Sequence, residues 1–183
     1  MENNVQGWNG THKIFKDLIS EIKPKTIVEI GSWKGQSTIT MALACKELNL
    51  DTKIYAIDTW LGALEFYTHP TEERNLYKKD GYPQVYFVFK ENIDKFNVND
   101  IIEPIPLPSN IGIKLIEKAD LIYIDGSHEY EDVKKDIDNA LERSNIIFGD
   151  DYGNTVFPGV KKAVDETPHK LEVIDNWFWL IRK

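Results

Sequence analysis

Cysteine is almost absent: Cys45 stands alone in 183 residues, and a lone thiol excludes an internal disulfide framework. It sits in Met41-Ala42-Leu43-Ala44-Cys45, reads as a small buried hydrophobe, and has nothing beside it to lower its pKa. There is no run of about 18 apolar residues, so a membrane-spanning helix is not expected. The start, Met1-Glu2-Asn3-Asn4-Val5-Gln6, lacks the basic-then-apolar pattern of a signal peptide. A soluble, cytoplasmic protein is the expectation. An excess of base is also missing: 22 Lys+Arg face 30 Asp+Glu, a net charge of -8. Generic nucleic-acid binding needs clustered cations, so it is not expected. Repeats, low-complexity stretches and linkers are absent, and one domain over 1–183 is the natural reading. What is present is core material: 42% hydrophobic residues, with five Trp, eight Tyr and eight Phe.

Periodicity predicts an α/β fold. Short β-branched runs occur at 26–30, 53–57, 102–105, 121–124 and 145–148, the pattern of buried parallel strands. Between them lie helical patterns at 14–22 after Thr11 as N-cap, 37–48, 109–118, 128–143 and 157–164. Residues 84–90 fit a strand by propensity. Val85, Phe89, Ile93 and Phe96 after Pro83 favour a helix. Two further strand-like runs, 170–174 and 178–181, form a hairpin around Asp175-Asn176-Trp177. Trp177, Phe178 and Trp179 there read as core. Repeated βα units imply a Rossmann-like three-layer sandwich. Its sheet is mostly parallel and seven-stranded, ending in a C-terminal antiparallel hairpin. Residues 61–82 have no clean period and are long for a connection, so a substrate lid or a surface excursion is expected there. His69 in that stretch is a candidate substrate contact, whereas His12 and His169 read as surface residues.

Ligands of open parallel sheets bind at the carboxyl ends of the strands, which directs attention to five tips. The first is Glu29-Ile30-Gly31-Ser32-Trp33-Lys34-Gly35-Gln36-Ser37, a glycine-containing strand-to-helix turn. Its spacing is Gly-x-x-x-Gly, not the Gly-x-Gly-x-x-Gly of nicotinamide dehydrogenases. The second, Asp58-Thr59-Trp60, puts a carboxylate where a ribose diol needs an acceptor. Then come Pro108-Ser109, Asp125-Gly126-Ser127-His128 and Asp150-Asp151-Tyr152. An adenosine-type ligand suits the first two. Acid is concentrated between the last two: residues 125–151 hold nine carboxylates against three bases.

The runs Val28 to Ser37, Ile57-Asp58-Thr59-Trp60-Leu61-Gly62 and Ile124-Asp125-Gly126-Ser127-His128-Glu129-Tyr130 together resemble class I S-adenosylmethionine-dependent methyltransferases. The chain is most similar to their small O-methyltransferase-like branch, which includes macrolide-sugar and catechol-type enzymes. The resemblance implies that Glu29, Gly31 and Ser32, within the turn that also holds Trp33, Gly35 and Ser37, surround the methionine end of the cofactor. Asp58 would bind the ribose, Trp60 and Ser109 would border ribose and adenine, and Asp125 would lie beside the methionine end; Thr59, Gly126 and His128, at the same tips, are further candidate cofactor contacts. The family commonly has a second glycine where this chain has Trp33.

Asp125, Asp150 and Asp151 end adjacent strands, and like charges that close call for a cation. Three oxygen ligands with room for water suit Mg²⁺ or another divalent ion; the alternative makes Asp150 and Asp151 turn and N-cap residues. His128 is either a general base, where catechol-type relatives carry lysine, or a first-turn residue. The expected activity is methylation of a hydroxyl on a small-molecule or sugar acceptor. A non-catalytic adenosine-binding module on the same fold is the alternative, and a homo-oligomer is left open.

Overall fold

A short β-branched run buried on both faces can only be the middle of a sheet, and the strands behave accordingly. The computed structural model describes residues 5–68 and 74–183. Its strands are β1 (Thr26–Ile30), β2 (Lys53–Ile57), β3 (Ile102–Ile105), β4 (Leu121–Ile124), β5 (Ile146–Gly149), β6 (Lys170–Ile174) and β7 (Phe178–Arg182). They form a seven-stranded sheet in the order β3-β2-β1-β4-β5-β7-β6. β1 to β5 run parallel, and β7 is antiparallel to both β5 and β6. All four residues of β4 are buried, whereas β6 at the edge is largely exposed. This is the expected Rossmann-like sheet with its antiparallel C-terminal pair.

Among the described residues the helices of eight residues or more are α1 (Lys13–Ile22), α2 (Gln36–Glu47), α3 (Val85–Lys95), α4 (Tyr130–Leu141) and α5 (Pro158–Asp165), and they flank the sheet. On one face Phe15, Met41 and Phe89 pack with Ile27, Ile54, Tyr123 and Phe148. On the other Val133, Ile137 and Val160 pack with Val28, Ile30, Ile122 and Ile147. Residues 85–90 belong to helix α3, with Gln84 as its N-cap, as Pro83 and the four-residue apolar spacing suggest. Among the described residues no helix is long and apolar enough to cross a membrane.

Some local expectations shift. The N-cap of α1 is His12, whose Nδ1 accepts from the Ile14 N–H at 3.2 Å, and not Thr11. His12 is also no bare surface residue. Its Nε2 lies 3.0 Å from Asp175 and its ring stacks on Phe178, partners brought close only by the fold. The helix expected over 109–118 is a single turn, Ser109–Gly112, followed by a 3-10 turn, Ile113–Leu115. Gly112 and the β-branched Ile111 and Ile113 are weak helix formers, and Ile116 is already extended. Phe178 and Trp179 are core, while Trp177 is exposed. His69 lies outside the described residues, as do residues 70–73 of the proposed lid.

Strand order reverses between β1 and β4, and their carboxyl ends open the crevice where ligands of such sheets bind.

Candidate functional site

The turn after β1 is built on left-handed backbone at Gly31 (φ 84°), Trp33 (φ 46°) and Gly35 (φ 92°). At Gly31 only glycine fits, because a Cβ would sit 2.1 Å from the Asp125 carbonyl oxygen. The tips of β1 and β4 therefore touch at the reversal point. Asp58, at the end of β2, holds the turn: its Oδ2 accepts from the Ser32 N–H (3.0 Å) and the Trp33 N–H (2.8 Å). Its Oδ1 accepts from the Trp60 N–H at 2.7 Å. Burial still pushes the Asp58 carboxyl above its ordinary value, against the backbone hydrogen bonds from Trp60, Trp33, Ser32 and Thr59. Trp60 is buried in the core and donates its indole N–H to the Trp33 carbonyl at 2.8 Å. Thr59 is exposed, and its hydroxyl caps the Leu61 N–H at 3.3 Å.

Beneath the turn lies Glu29, wholly buried. Ser37 donates to its Oε1 at 2.5 Å, and Ser32 at 2.7 Å and Thr38 donate to its Oε2. Burial pushes this carboxyl up to about 7 despite the three hydroxyls. Glu29, Ser32 and Ser37 thus form one internal knot that ties the turn to the first residues of α2. Ser109 sits farther along the edge, bonded to Asp136 of α4, whose carboxyl burial raises to about 6.

The acidic tips converge beside Gly31. Asp125, His128 and Asp151 offer ligand atoms all within 4.8 Å of one another. His128 Nε2 is 3.2 Å from Asp151 Oδ2, and its ring stacks on Phe157 with centroids 3.8 Å apart. Burial, then Asp150 and Asp151, drive the Asp125 carboxyl well above its usual range. Burial also acts upward on Asp151, but the bonds from His128 and Asn154 win and hold it below the ordinary value. Asp150 turns elsewhere: it is buried, accepts from Asn9 Nδ2 at 3.1 Å and from the Asp151 N–H at 2.7 Å, and burial lifts it to about 6. Gly126, Ser127, Val133 and Trp179 complete a cavity of about 10 Å³ around these groups, close to the space a single water or ion needs. Next to it, beyond Asp151, an open groove of 750 Å³ runs over Tyr152, Asn154, Thr155 and Lys161.

Three contributors escape sequence reasoning. Tyr123 donates its hydroxyl to Asp125 Oδ2 at 2.9 Å; residues two apart on a strand share a face, so this one carried a signal. Asn9 reaches Asp150 across 141 positions, and Gln6 reaches Lys34 at 2.6 Å. No local pattern marks either.

A family model described as a methyltransferase domain matches residues 28–152. A protein of Sinorhizobium fredii, described as uncharacterized protein y4gI, is 28% identical over 143 residues, 73% of this chain. The chain spans only 14% of that relative's length. Among solved structures, the O-methyltransferase NovP has a TM-score of 0.73 at 17% identity, covering 93% of this chain and 78% of that one. The O-methyltransferase from Bacillus cereus in complex with SAH has a TM-score of 0.62 at 19% identity, covering 100% of this chain and 84% of that one. At such identities the structural likeness establishes the fold.

Proposed function

The chain belongs to the methyltransferase domain family, and on that premise we propose that it methylates a hydroxyl of a small molecule or sugar with S-adenosylmethionine as donor. The observation that carries the reading is the convergence of Asp125, His128 and Asp151 on the β1–β4 crevice. When bound, S-adenosylmethionine would supply the electrophilic methyl carbon for the acceptor oxygen, with its sulfur as the leaving group. The residues present fit that ligand. Gly31 lets the β1 and β4 backbones meet, Asp58 holds the Ser32 and Trp33 amides in place, and the buried Trp33 indole N–H has no acceptor of its own.

A divalent cation such as Mg²⁺ also fits. Asp125 and Asp151 supply hard oxygen donors, His128 is the third group within reach, and the cavity has the size of one ion. Asp150, already bonded to Asn9 and Asp151, is the next carboxylate along. A cation there supplies Lewis acidity toward the acceptor hydroxyl. The protein's own part is to orient and deprotonate. His128, 3.2 Å from Asp151, would take the acceptor's proton where it does not ligate the cation, and Asp151 would steady the imidazolium that results. The groove beyond Asp151, lined by Tyr152, Asn154, Thr155 and Asn176 together with the charged Lys161, Lys162, Asp165 and Glu166, is where the acceptor would lie. The cytoplasm is the setting proposed for this reaction.

Calorimetry with S-adenosylhomocysteine and a radiolabelled methyl-transfer screen over hydroxylated acceptors, with and without Mg²⁺ and a chelator, test this. Absence of S-adenosylhomocysteine binding defeats the proposal. Binding without turnover on any acceptor favours a binding module instead, and turnover that survives the chelator removes the metal.

A further inference from the structure

Tyr123 lies in β4, a strand buried along its whole length, and is itself wholly buried. Its ring packs edge-on against Phe15 at 5.0 Å and tilted against Phe148 at 4.7 Å between centroids. Phenylalanine would fill the same space, so packing does not account for the hydroxyl. A buried hydroxyl costs free energy unless it is bonded, and this one donates to Asp125 Oδ2 at 2.9 Å. Side chains two apart on a strand share a face, so the strand itself fixes the pair, and the aromatic wall keeps the phenol from swinging away. Asp151 is held in a similar manner. Asn154, three residues on, donates its Nδ2–H to Asp151 Oδ1 at 2.7 Å. The other oxygen, Oδ2, is the one that meets His128 Nε2 at 3.2 Å. The two carboxylates that converge with His128 thus each carry a neutral protein donor on one oxygen.

We propose that Tyr123 and Asn154 are positioning residues that leave Asp125 and Asp151 one oxygen each for a cation, Asp125 Oδ1 and Asp151 Oδ2, and so select a small octahedral ion over Ca²⁺. The inference rests on the cation reading given above. An oxygen that already accepts from a hydroxyl or an amide is the weaker donor to a metal, and turning the carboxylate to chelate through both oxygens would break that bond. Single-oxygen contacts at about 2.0–2.1 Å with retained water suit Mg²⁺, whereas Ca²⁺ takes about six to eight oxygens at about 2.3–2.6 Å and readily uses both oxygens of a carboxylate. The cavity of about 10 Å³ is on the scale of one water or ion, which also disfavours the wider shell. Asp150 does not relieve this, since Asn9 and the Asp151 N–H already engage its oxygens.

Calorimetry with MgCl₂, MnCl₂ and CaCl₂ on the full chain, as wild type, Tyr123→Phe and Asn154→Ala, tests this without an acceptor or turnover. Wild type should bind Mg²⁺ and Mn²⁺ more tightly than Ca²⁺. Each substitution frees one carboxylate to offer both oxygens, so the ratio of Mg²⁺ to Ca²⁺ affinity should fall by about 10-fold, the low end for losing a group bonded to a metal ligand. A purely structural role gives a different result: losing a core or loop contact lowers the melting temperature and weakens all three ions by a common factor, leaving the ratio where it was. Asn154 lies in the partly exposed loop after β5, so its variant carries the test even where Tyr123→Phe fails to fold. An unchanged ratio in both variants overturns the proposal, as does a wild type that holds Ca²⁺ as tightly as Mg²⁺. Either result leaves the cation reading in place. A wild type that binds S-adenosylhomocysteine but none of the three ions removes the cation reading and this inference with it, while the cofactor reading stands.

Discussion

Glu29→Gln should stabilise the protein at alkaline pH and do little in acid. Glu29 is wholly buried, and its carboxyl is pushed from 4.5 up to about 7. The unfolded chain releases this proton near pH 4.5 and the folded chain near 7, so between those values the folded state binds the extra proton. The stability tied to this site is complete below pH 4.5 and is lost as pH rises through 7. A displacement of that size corresponds to about 3 kcal/mol at roughly 1.4 kcal/mol per pH unit. Glutamine keeps the shape without the charge. Its carbonyl at the Oε2 position still accepts from Ser32 and Thr38, and the Ser37 hydroxyl can rotate to accept from the amide. Urea unfolding at pH 5 and pH 8 measures the effect. The variant should gain about 2–3 kcal/mol over wild type between the two pH values, with its melting temperature at pH 8 higher by roughly 5–10 °C. Other carboxylates titrate in both proteins and cancel in the difference. An advantage that is equal at the two pH values, or a loss at pH 8, refutes the reasoning.

Gly31→Ala forces a Cβ to 2.1 Å from the Asp125 carbonyl at φ 84°. It should cost at least about 2 kcal/mol in urea unfolding, and an unchanged midpoint would contradict the close approach. Asp58→Asn turns an amide N–H₂ toward at least one of the three backbone donors that Asp58 now accepts. A loss of about 1–3 kcal/mol is expected, with weaker S-adenosylhomocysteine binding by calorimetry; equal stability and affinity would show that Asp58 does not hold the turn. His128→Ala, once an acceptor is in hand, should lower kcat about 100-fold and flatten the pH–rate profile near neutrality, whereas an unaltered profile removes it as the base.

The strands were legible because parallel strands buried on both faces read as unbroken apolar runs; Leu121-Ile122-Tyr123-Ile124 is the clearest. Helix α3 was legible only once the spacing of Val85, Phe89 and Ile93 after Pro83 was allowed to outweigh β-propensity. The short turns at 109–115 were not, since their end is set by how tightly Gly112 packs against Ile57 and Ile105. At the site, the tips were readable but the directions of their side chains were not. Asp150 and Asp151 are consecutive, so they cannot share a face of the strand, and Asp151 leaves it in left-handed backbone (φ 63°). One carboxylate therefore goes to Asn9 and the other to His128. Which is which depends on a residue 141 positions away.

Most left-handed non-glycine residues in this chain are asparagine or aspartate in turns, where the cost is small. Trp33 and Trp60 are the bulky ones at the carboxyl edge, at φ 46° and 52°. Residues in such conformations persist where their surroundings over-determine them, and here the surroundings are each other. Asp58 accepts from the amides of both tryptophans, and Trp60 returns its indole N–H to the Trp33 carbonyl. Opening one link of this ring strains the next, while Glu29 fastens the same turn from below through Ser32, Ser37 and Thr38. The turn is thus set before any ligand arrives, and binding need not order it, which removes a term that flexible loops incur. The Lys34 ammonium, from the next residue, is bonded outside the ring to the Gln6 amide oxygen at 2.6 Å and to Tyr77. Among the described residues the Trp33 indole N–H is then the one buried side-chain donor of the turn that meets no acceptor.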